Sequence, residues 1–199
     1  SYCGGLPAPE ANTNPLGYKF SWSPRGVVMA GKNPAHFLWD GDEVSIPGEE
    51  LFHHHWPVEI EGLGTFEGYP NRDSLPYVET YGLEKAETMF RGTLRNGGWC
   101  ATWLTLSRLG FLSDEAQQLG GFTYAQFTAG VLGTNADNVR AEFAARAGVS
   151  EDDEVVARME WLGFFSEEPL PCDEAAPMDV LAVRLQEKCP YEEGERDMI

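Results

Sequence analysis

Apolar and polar positions change their period near residue 97. Upstream, short stretches alternate in twos, as half-buried strands do. Thr88-Met-Phe-Arg-Gly-Thr-Leu-Arg95 predicts a strand with Met89, Arg91, Thr93 and Arg95 on one face and Phe90, Gly92 and Leu94 on the other. Tyr18 to Ser23 alternates aromatic with small or polar residues, as a strand end does, and Thr65 to Tyr69 predicts a further short strand. Ala35 to Ile46 reads as a hairpin turning on Asp40-Gly41, a dipeptide suited to the positive φ angles of a tight turn. Ser23-Pro24 supplies an N-cap and a first-turn proline for a short helix reaching Lys32, and Ser74 caps a second that stops at Gly82. Cys3 to Glu10, with two glycines and two prolines, predicts a rigid tight loop ahead of the Asn14-Pro15 turn.

Downstream, Trp99, Trp103, Leu106 and Leu109 recur at helical spacing. Further helices are expected near 124–132, 138–147, 152–162 and 177–188, with Asp137 capping the second of these four and a Ser150/Asp153 capping box opening the third. The pattern therefore predicts an α+β protein of the α/β type. A mixed-sheet domain over residues 1–100, completed by 176–199, surrounds a helical subdomain at 101–175.

Charge changes this picture more than composition does. The 42% hydrophobic and 12% aromatic content is that of a folded domain. The formal charge of −18, from 32 acids against 14 bases, would repel nucleic acid backbones and anionic lipid alike, so neither partner is expected. The helical half is the more acidic, with 19 acids and 7 bases against 13 and 7 in residues 1–100. Within that excess, Arg72, Arg91 and Arg95 fall in 24 residues, and local positive charge in an acidic protein suggests an anion pocket. On the strand, Arg91 and Arg95 would stand roughly 13 Å apart with Thr93 between them, a spacing suited to a small molecule with several carboxylates. A solvated strand face laced with ion pairs is the competing reading of the same spacing.

Other candidates carry less. His53-His-His55 lacks the geometry of a metal site, since only His53 and His55 share a strand face, and no metal is expected. The four cysteines have neither a CxxC pair nor regular spacing, which fits a reducing compartment, taken as the cytoplasm. Cys3-Gly-Gly5 either brings a thiol and bare backbone to a ligand or makes a tight turn. Trp22 reads as a core aromatic or a stacking lid. No glycine fingerprint for a dinucleotide is present. The chain starts without Met in motif-like sequence and stops where an apolar strand begins, so a piece of a longer protein is expected.

Four motifs, in order, carry a resemblance. Ser1-Tyr-Cys-Gly-Gly-Leu-Pro-Ala-Pro-Glu10, Asn14-Pro-Leu-Gly-Tyr-Lys-Phe-Ser-Trp-Ser23 with Arg25-Gly26, Tyr69-Pro-Asn-Arg-Asp-Ser74 and Arg91-Gly-Thr-Leu-Arg95 closely resemble the glutamate-forming saccharopine dehydrogenases. The tail, Tyr191-Glu-Glu-Gly-Glu-Arg-Asp-Met198, is similar to the same family. The likeness is densest over residues 1–100 and loose over 110–175, where mainly Trp161-Leu-Gly-Phe-Phe165 is kept.

The resemblance implies an oxidoreductase of lysine metabolism that oxidises saccharopine with NADP or NAD and releases glutamate and 2-aminoadipate 6-semialdehyde. It implies that Arg72 and the Thr93-Leu94-Arg95 run contact saccharopine, which has three carboxylates, and that Trp22 lies near both cofactor and substrate. Strand geometry turns the Leu94 side chain away, so its backbone is the part expected to contribute. The dinucleotide-binding half and the catalytic residues are expected outside this chain, which would be the substrate-binding and dimerisation part of a homodimer, inactive alone. Two rivals remain at this point: a related polyamine-forming reductase, disfavoured by the arginines, and an acidic binding module without catalysis.

Overall fold

The protein is described by a computed structural model over residues 1–21 and 23–198. In chain order the strands are β1 (Tyr2–Cys3), β2 (Leu6–Pro7), β3 (Ala35–Trp39), β4 (Asp42–Ile46), β5 (Trp56–Ile60), β6 (Gly64–Pro70), β7 (Gly92–Arg95), β8 (Gln117–Gln118), β9 (Glu174–Ala175) and β10 (Asp197–Met198). The helices are α1 (Pro24–Ala30), α2 (Pro76–Thr80), α3 (Trp99–Leu109), α4 (Tyr124–Leu132), α5 (Val139–Ala147), α6 (Glu154–Leu162) and α7 (Pro177–Lys188). The fold is α+β, with a mixed sheet in the order β1-β7-β6-β5, in which β1 runs parallel to β7 and the other pairs are antiparallel.

The sheet separates two apolar layers. Leu94 and Phe66 turn to one side and meet Leu6, with Val58, Ile60 and Met198 packed around them. On the other side a single core joins both halves of the chain through Tyr18, Phe52, Trp99, Phe111, Phe164 and Leu181. Trp99 and Trp103, one helical turn apart on α3, stack at 3.8 Å with 14° between their planes. Two buried arginines tie the helices to their surroundings. Arg158 bonds Pro15 O at 2.9 Å and Glu154 at 2.7 Å, and Arg184 bonds Leu162 O, Glu168 and Glu187 while lying over the Tyr124 ring.

Local expectations hold where the deciding contacts are local. The hairpin turns on Asp40 (φ 49°) and Gly41 (φ 89°), α4 and α7 have the expected bounds, and the Ser23 hydroxyl caps α1. Departures trace to contacts distant in sequence. Residues 88–91 do not extend β7, because Met89 exchanges backbone bonds with Leu38 and leaves only Gly92–Arg95 to pair with β6. Tyr18 to Ser21 is not a strand: Phe20 N bonds Cys189 O after α7, and the Tyr18 ring packs on Trp99 at 4.8 Å. Ser74 does not cap α2, since its hydroxyl takes Arg91 N at 3.2 Å while Asp73 accepts from Leu75 N. Asp137 does not cap α5, and Asp153 by itself caps α6 through Val155 N, without Ser150. Thr123 and Gln126 form the capping box that the sequence reading missed.

The C-terminal segment is held by charge. Lys19, only 5% exposed, pairs with Glu195 at 2.5 Å, and Glu195 also accepts from Glu192 N. Lys19 first, then the Glu192 amide, holds the Glu195 carboxyl below the usual carboxylate range. A depressed pKa contributes stability above the unfolded value of about 4.3 and loses it as pH falls through the lower folded value. Amide exchange over 191–198, corrected for intrinsic rates, should therefore rise at pH 3 while α3 stays protected, and Lys19→Met should show the faster exchange already at pH 7. Equal protection of the segment at both pH values in the unaltered chain would rule out the tether.

Candidate anion-binding site

Seven of the ten arginines pair with a carboxylate: Arg25, Arg108, Arg140, Arg146, Arg158, Arg184 and Arg196. Arg72, Arg91 and Arg95 have no such partner within 4.0 Å among the described residues. These same three line one cavity of about 450 Å³. In a chain with 32 acids, three neighbouring guanidiniums without a carboxylate partner mark a place kept open for an outside anion.

Each arginine is positioned by a different device. Arg95, on the cavity-facing side of β7, is 5% exposed and its guanidinium lies 4.8 Å from the Tyr18 ring centroid and 5.2 Å from that of Trp99. Nη1 donates to Leu94 O at 2.8 Å, and buried Nε has no hydrogen-bond partner. The two rings supply cation–π attraction but no counter-charge, so the head stays able to grip a carboxylate. Arg91 donates from Nε to Asn71 O and from Nη1 to the Tyr77 hydroxyl, both at 2.9 Å, which fixes its fork beside the cavity. Arg72 sits at φ 60°, a left-handed conformation disfavoured for a residue with a Cβ. Its backbone is held there because His36 N donates to Arg72 O and Ser74 N to His36 O. Strain over-determined by its surroundings is a frequent mark of a functional position.

Between the arginines stands Thr93, whose Oγ1 accepts from Asn71 Nδ2 at 2.9 Å and also hydrogen-bonds the Tyr69 hydroxyl. Register pairs Thr93 with Tyr69 and Cys3, and both line the cavity. Burial pushes the Tyr69 hydroxyl up, against the pull of Arg95, so it remains a neutral hydrogen-bonding group. The Gly4 and Gly5 backbone closes one wall. Glu67, directly across the ladder from Arg95, does not approach it. It accepts from Gly98 N at 2.7 Å and Cys100 N at 2.8 Å, spending its charge on the positive end of α3. Burial, then Glu67, pushes the Cys100 thiol far up, so it is no nucleophile.

Of the residues expected from sequence, Arg72, Thr93 and Arg95 come together in this cavity, and Arg91 with them. The Leu94 side chain packs with Leu6 and Phe66 on the far side of the sheet, as the strand alternation expects, and its carbonyl accepts from Arg95 Nη1. Trp22 lies outside the described residues. His53 to His55 line a separate hollow with Trp39 and Trp56, His55 Nδ1 lying 2.8 Å from Phe52 O. Among the described residues no group of three His, Cys, Asp or Glu is spaced for a metal. Sequence reasoning missed the Tyr18/Trp99 clamp and the Asn71 and Tyr77 anchors. The motifs contain Tyr18 and Asn71, but nothing local shows that they meet an arginine.

An arginine-lined cavity on the mixed sheet of an α+β domain has the chemistry to receive a small anion with several carboxylates. The model of the family described as saccharopine dehydrogenase C-terminal domain matches residues 1–199, and the chain belongs to that family. It is 41% identical, over its whole length, to the saccharopine dehydrogenase [NADP(+), L-glutamate-forming] of Schizosaccharomyces pombe, covering 46% of that protein. It is 37% identical to the alpha-aminoadipic semialdehyde synthase of Arabidopsis thaliana, covering 20% of it. The solved structure of apo histidine-tagged saccharopine dehydrogenase (L-Glu forming) from Saccharomyces cerevisiae superposes with a TM-score of 0.87 at 35% identity, over 98% of this chain and 46% of that one. The chain thus spans about half the length of these fungal dehydrogenases. Among the described residues no helix is long and apolar enough to cross a membrane.

Proposed function

We propose that this chain is the substrate-binding part of an NADP-dependent saccharopine dehydrogenase, an oxidoreductase of lysine metabolism that converts saccharopine to glutamate and 2-aminoadipate 6-semialdehyde. The observation that carries the proposal is that the three arginines without carboxylate partners share one cavity. Saccharopine offers three carboxylates, one for each guanidinium. Arg72 and Arg95 grip carboxylates, Thr93 contacts the substrate between them, and Arg91 completes the positive wall. The Leu94 side chain contributes packing on the far side of the sheet and no contact to substrate.

The cavity fits carboxylates better than a dinucleotide. The one glycine-rich strand-to-helix turn beside the cavity, Asn96-Gly97-Gly98 between β7 and α3, has no Gly-x-Gly-x-x-Gly run, and its Gly98 and Cys100 amides already donate to Glu67, so a pyrophosphate finds no place there and the cofactor is held mainly by another part of the protein. When bound there it would accept the hydride, and this chain's residues orient the substrate for that transfer. Trp22 is assigned to the neighbourhood of the cofactor by the motif it belongs to. We place the full-length enzyme in the cytoplasm as a homodimer.

The strained arginine gives a clean test. Arg72→Gly removes the guanidinium and relieves a left-handed conformation worth about 1 kcal/mol. In the full-length protein it should leave thermal stability unchanged or raised while weakening saccharopine binding about 10- to 100-fold, the loss expected for one charge-assisted contact. The 199-residue chain alone should not turn over saccharopine with NADP. Unchanged saccharopine affinity in Arg72→Gly would sink the proposal.

A further inference from the structure

Asp197 is the single carboxylate among the described residues that line the arginine cavity. It enters from β10, which pairs with β2 and places Asp197 opposite Pro7. Its neighbour Arg196 pairs instead with Glu10, at 3.3 Å. None of the three cavity arginines comes within ion-pair distance of Asp197, although elsewhere in this protein arginines and carboxylates pair readily. Arg95 is held by two rings and a carbonyl, and Arg91 by a carbonyl and a hydroxyl, so neither is free to swing across. The cavity therefore presents positive charge at three points, two of them fixed, and negative charge at one.

A ligand made only of carboxylates would match the arginines and be repelled at the fourth point. A ligand that also carries a protonated amine matches all four. We propose that Asp197 binds a protonated amine of the substrate and so selects amino-polycarboxylates over polycarboxylates that lack the amine. This inference rests on the polycarboxylate reading of the cavity and assigns its one acid a part in specificity. The two products of the proposed reaction each bear an amine, so the substrate has two, and Asp197 meets one of them.

Matched ligands separate the two ideas. Glutamate and glutarate differ only in the amine, as do 2-aminoadipate and adipate. Their binding to the full-length protein would be measured by calorimetric titration for the unaltered protein, Asp197→Asn, Asp197→Ser and Arg95→Met. In both Asp197 variants the affinity of at least one amine-bearing ligand should fall about 10- to 100-fold relative to its amine-free partner, the loss of one charged hydrogen bond. The amine-free ligand should bind as well as before or better. Arg95→Met should weaken both members of each pair together. An unchanged amine-to-amine-free ratio in both Asp197 variants, with arginine dependence intact, overturns the role of Asp197 and leaves the polycarboxylate reading standing. Binding of every ligand unaffected by Arg95→Met overturns that reading instead.

Discussion

Replacing Arg95 with Met should abolish most substrate binding in the full-length protein without unfolding the domain. Two charged hydrogen bonds to a carboxylate, at about 1.5 to 3 kcal/mol each, amount to a loss of at least 100-fold in affinity. Stability moves differently because the ligand-free domain gains little from this cation. Burying a guanidinium without a counter-ion costs several kcal/mol. The Tyr18 and Trp99 faces return about 2 kcal/mol each, and the bond to Leu94 O a further 1.5 to 3. These terms nearly cancel, and Met fills a similar volume between the rings, so Tm should fall by no more than a few degrees, or rise. Arg184→Met is the control. Arg184 is equally buried, and its loss should cost about 1 to 3 kcal/mol because the Leu162 carbonyl is left buried without its donor, while the half-exposed carboxylates of Glu168 and Glu187 turn to water. Thermal unfolding and calorimetric titration of the two variants side by side decide the matter. If Arg95→Met lost stability as Arg184→Met does and kept its affinity, Arg95 would be a structural residue.

Gly4→Ala should damage both the fold and the site. A Cβ at position 4 would lie 2.5 Å from Leu94 O, 3.2 Å from Leu94 N and 3.3 Å from Leu94 C, all of them backbone atoms of β7 that no rotamer change can move aside. The β1–β7 pairing must open, and with it the register that sets Cys3 beside Thr93. Overpacking of this kind costs roughly 1 to 3 kcal/mol, and displacement of the strand bearing Thr93 and Arg95 would add a loss of affinity. Gly5→Ala is the matched comparison, because its Cβ would meet only the Ser21 hydroxyl oxygen at 3.6 Å. It should keep near-normal stability. Two variants of equal Tm would mean that β1 yields at no cost, and the close approach of Gly4 would lose its meaning. The pair also bears on the two roles held open for Cys3-Gly-Gly5: both glycines line the cavity, and Gly4 in addition allows the close approach to β7.

Legibility in the sequence followed the range of the deciding interactions. The hairpin at Asp40-Gly41 and the helices at 124–132 and 177–188 depend on φ preference and on apolar spacing within a few residues, so the chain announces them. Ser74 shows the limit. As a Ser just ahead of a helical pattern it looks like a cap, yet the amide of Arg91, 17 residues on, claims its hydroxyl. Likewise Tyr18 to Ser21 alternates as a strand does, but the amide of Phe20 finds its acceptor at Cys189, and the alternation serves core packing. Met89 leaves the predicted strand because β3 offers it both backbone partners.

By itself the sequence determined the α+β class, the run of arginines in an acidic chain, and the alternation that sets Arg91, Thr93 and Arg95 on one face and Leu94 on the other. Those are statements about period and composition, which a chain carries without folding. Only the tertiary structure decided which arginines meet a carboxylate, that Arg72 joins Arg91 and Arg95 across a turn held left-handed by His36, and that Asp197 arrives from the far end of the chain as the one acid lining the cavity among the described residues. Whether a guanidinium meets a carboxylate, two rings or an open cavity depends on distances between residues far apart in sequence, and folding alone sets those distances.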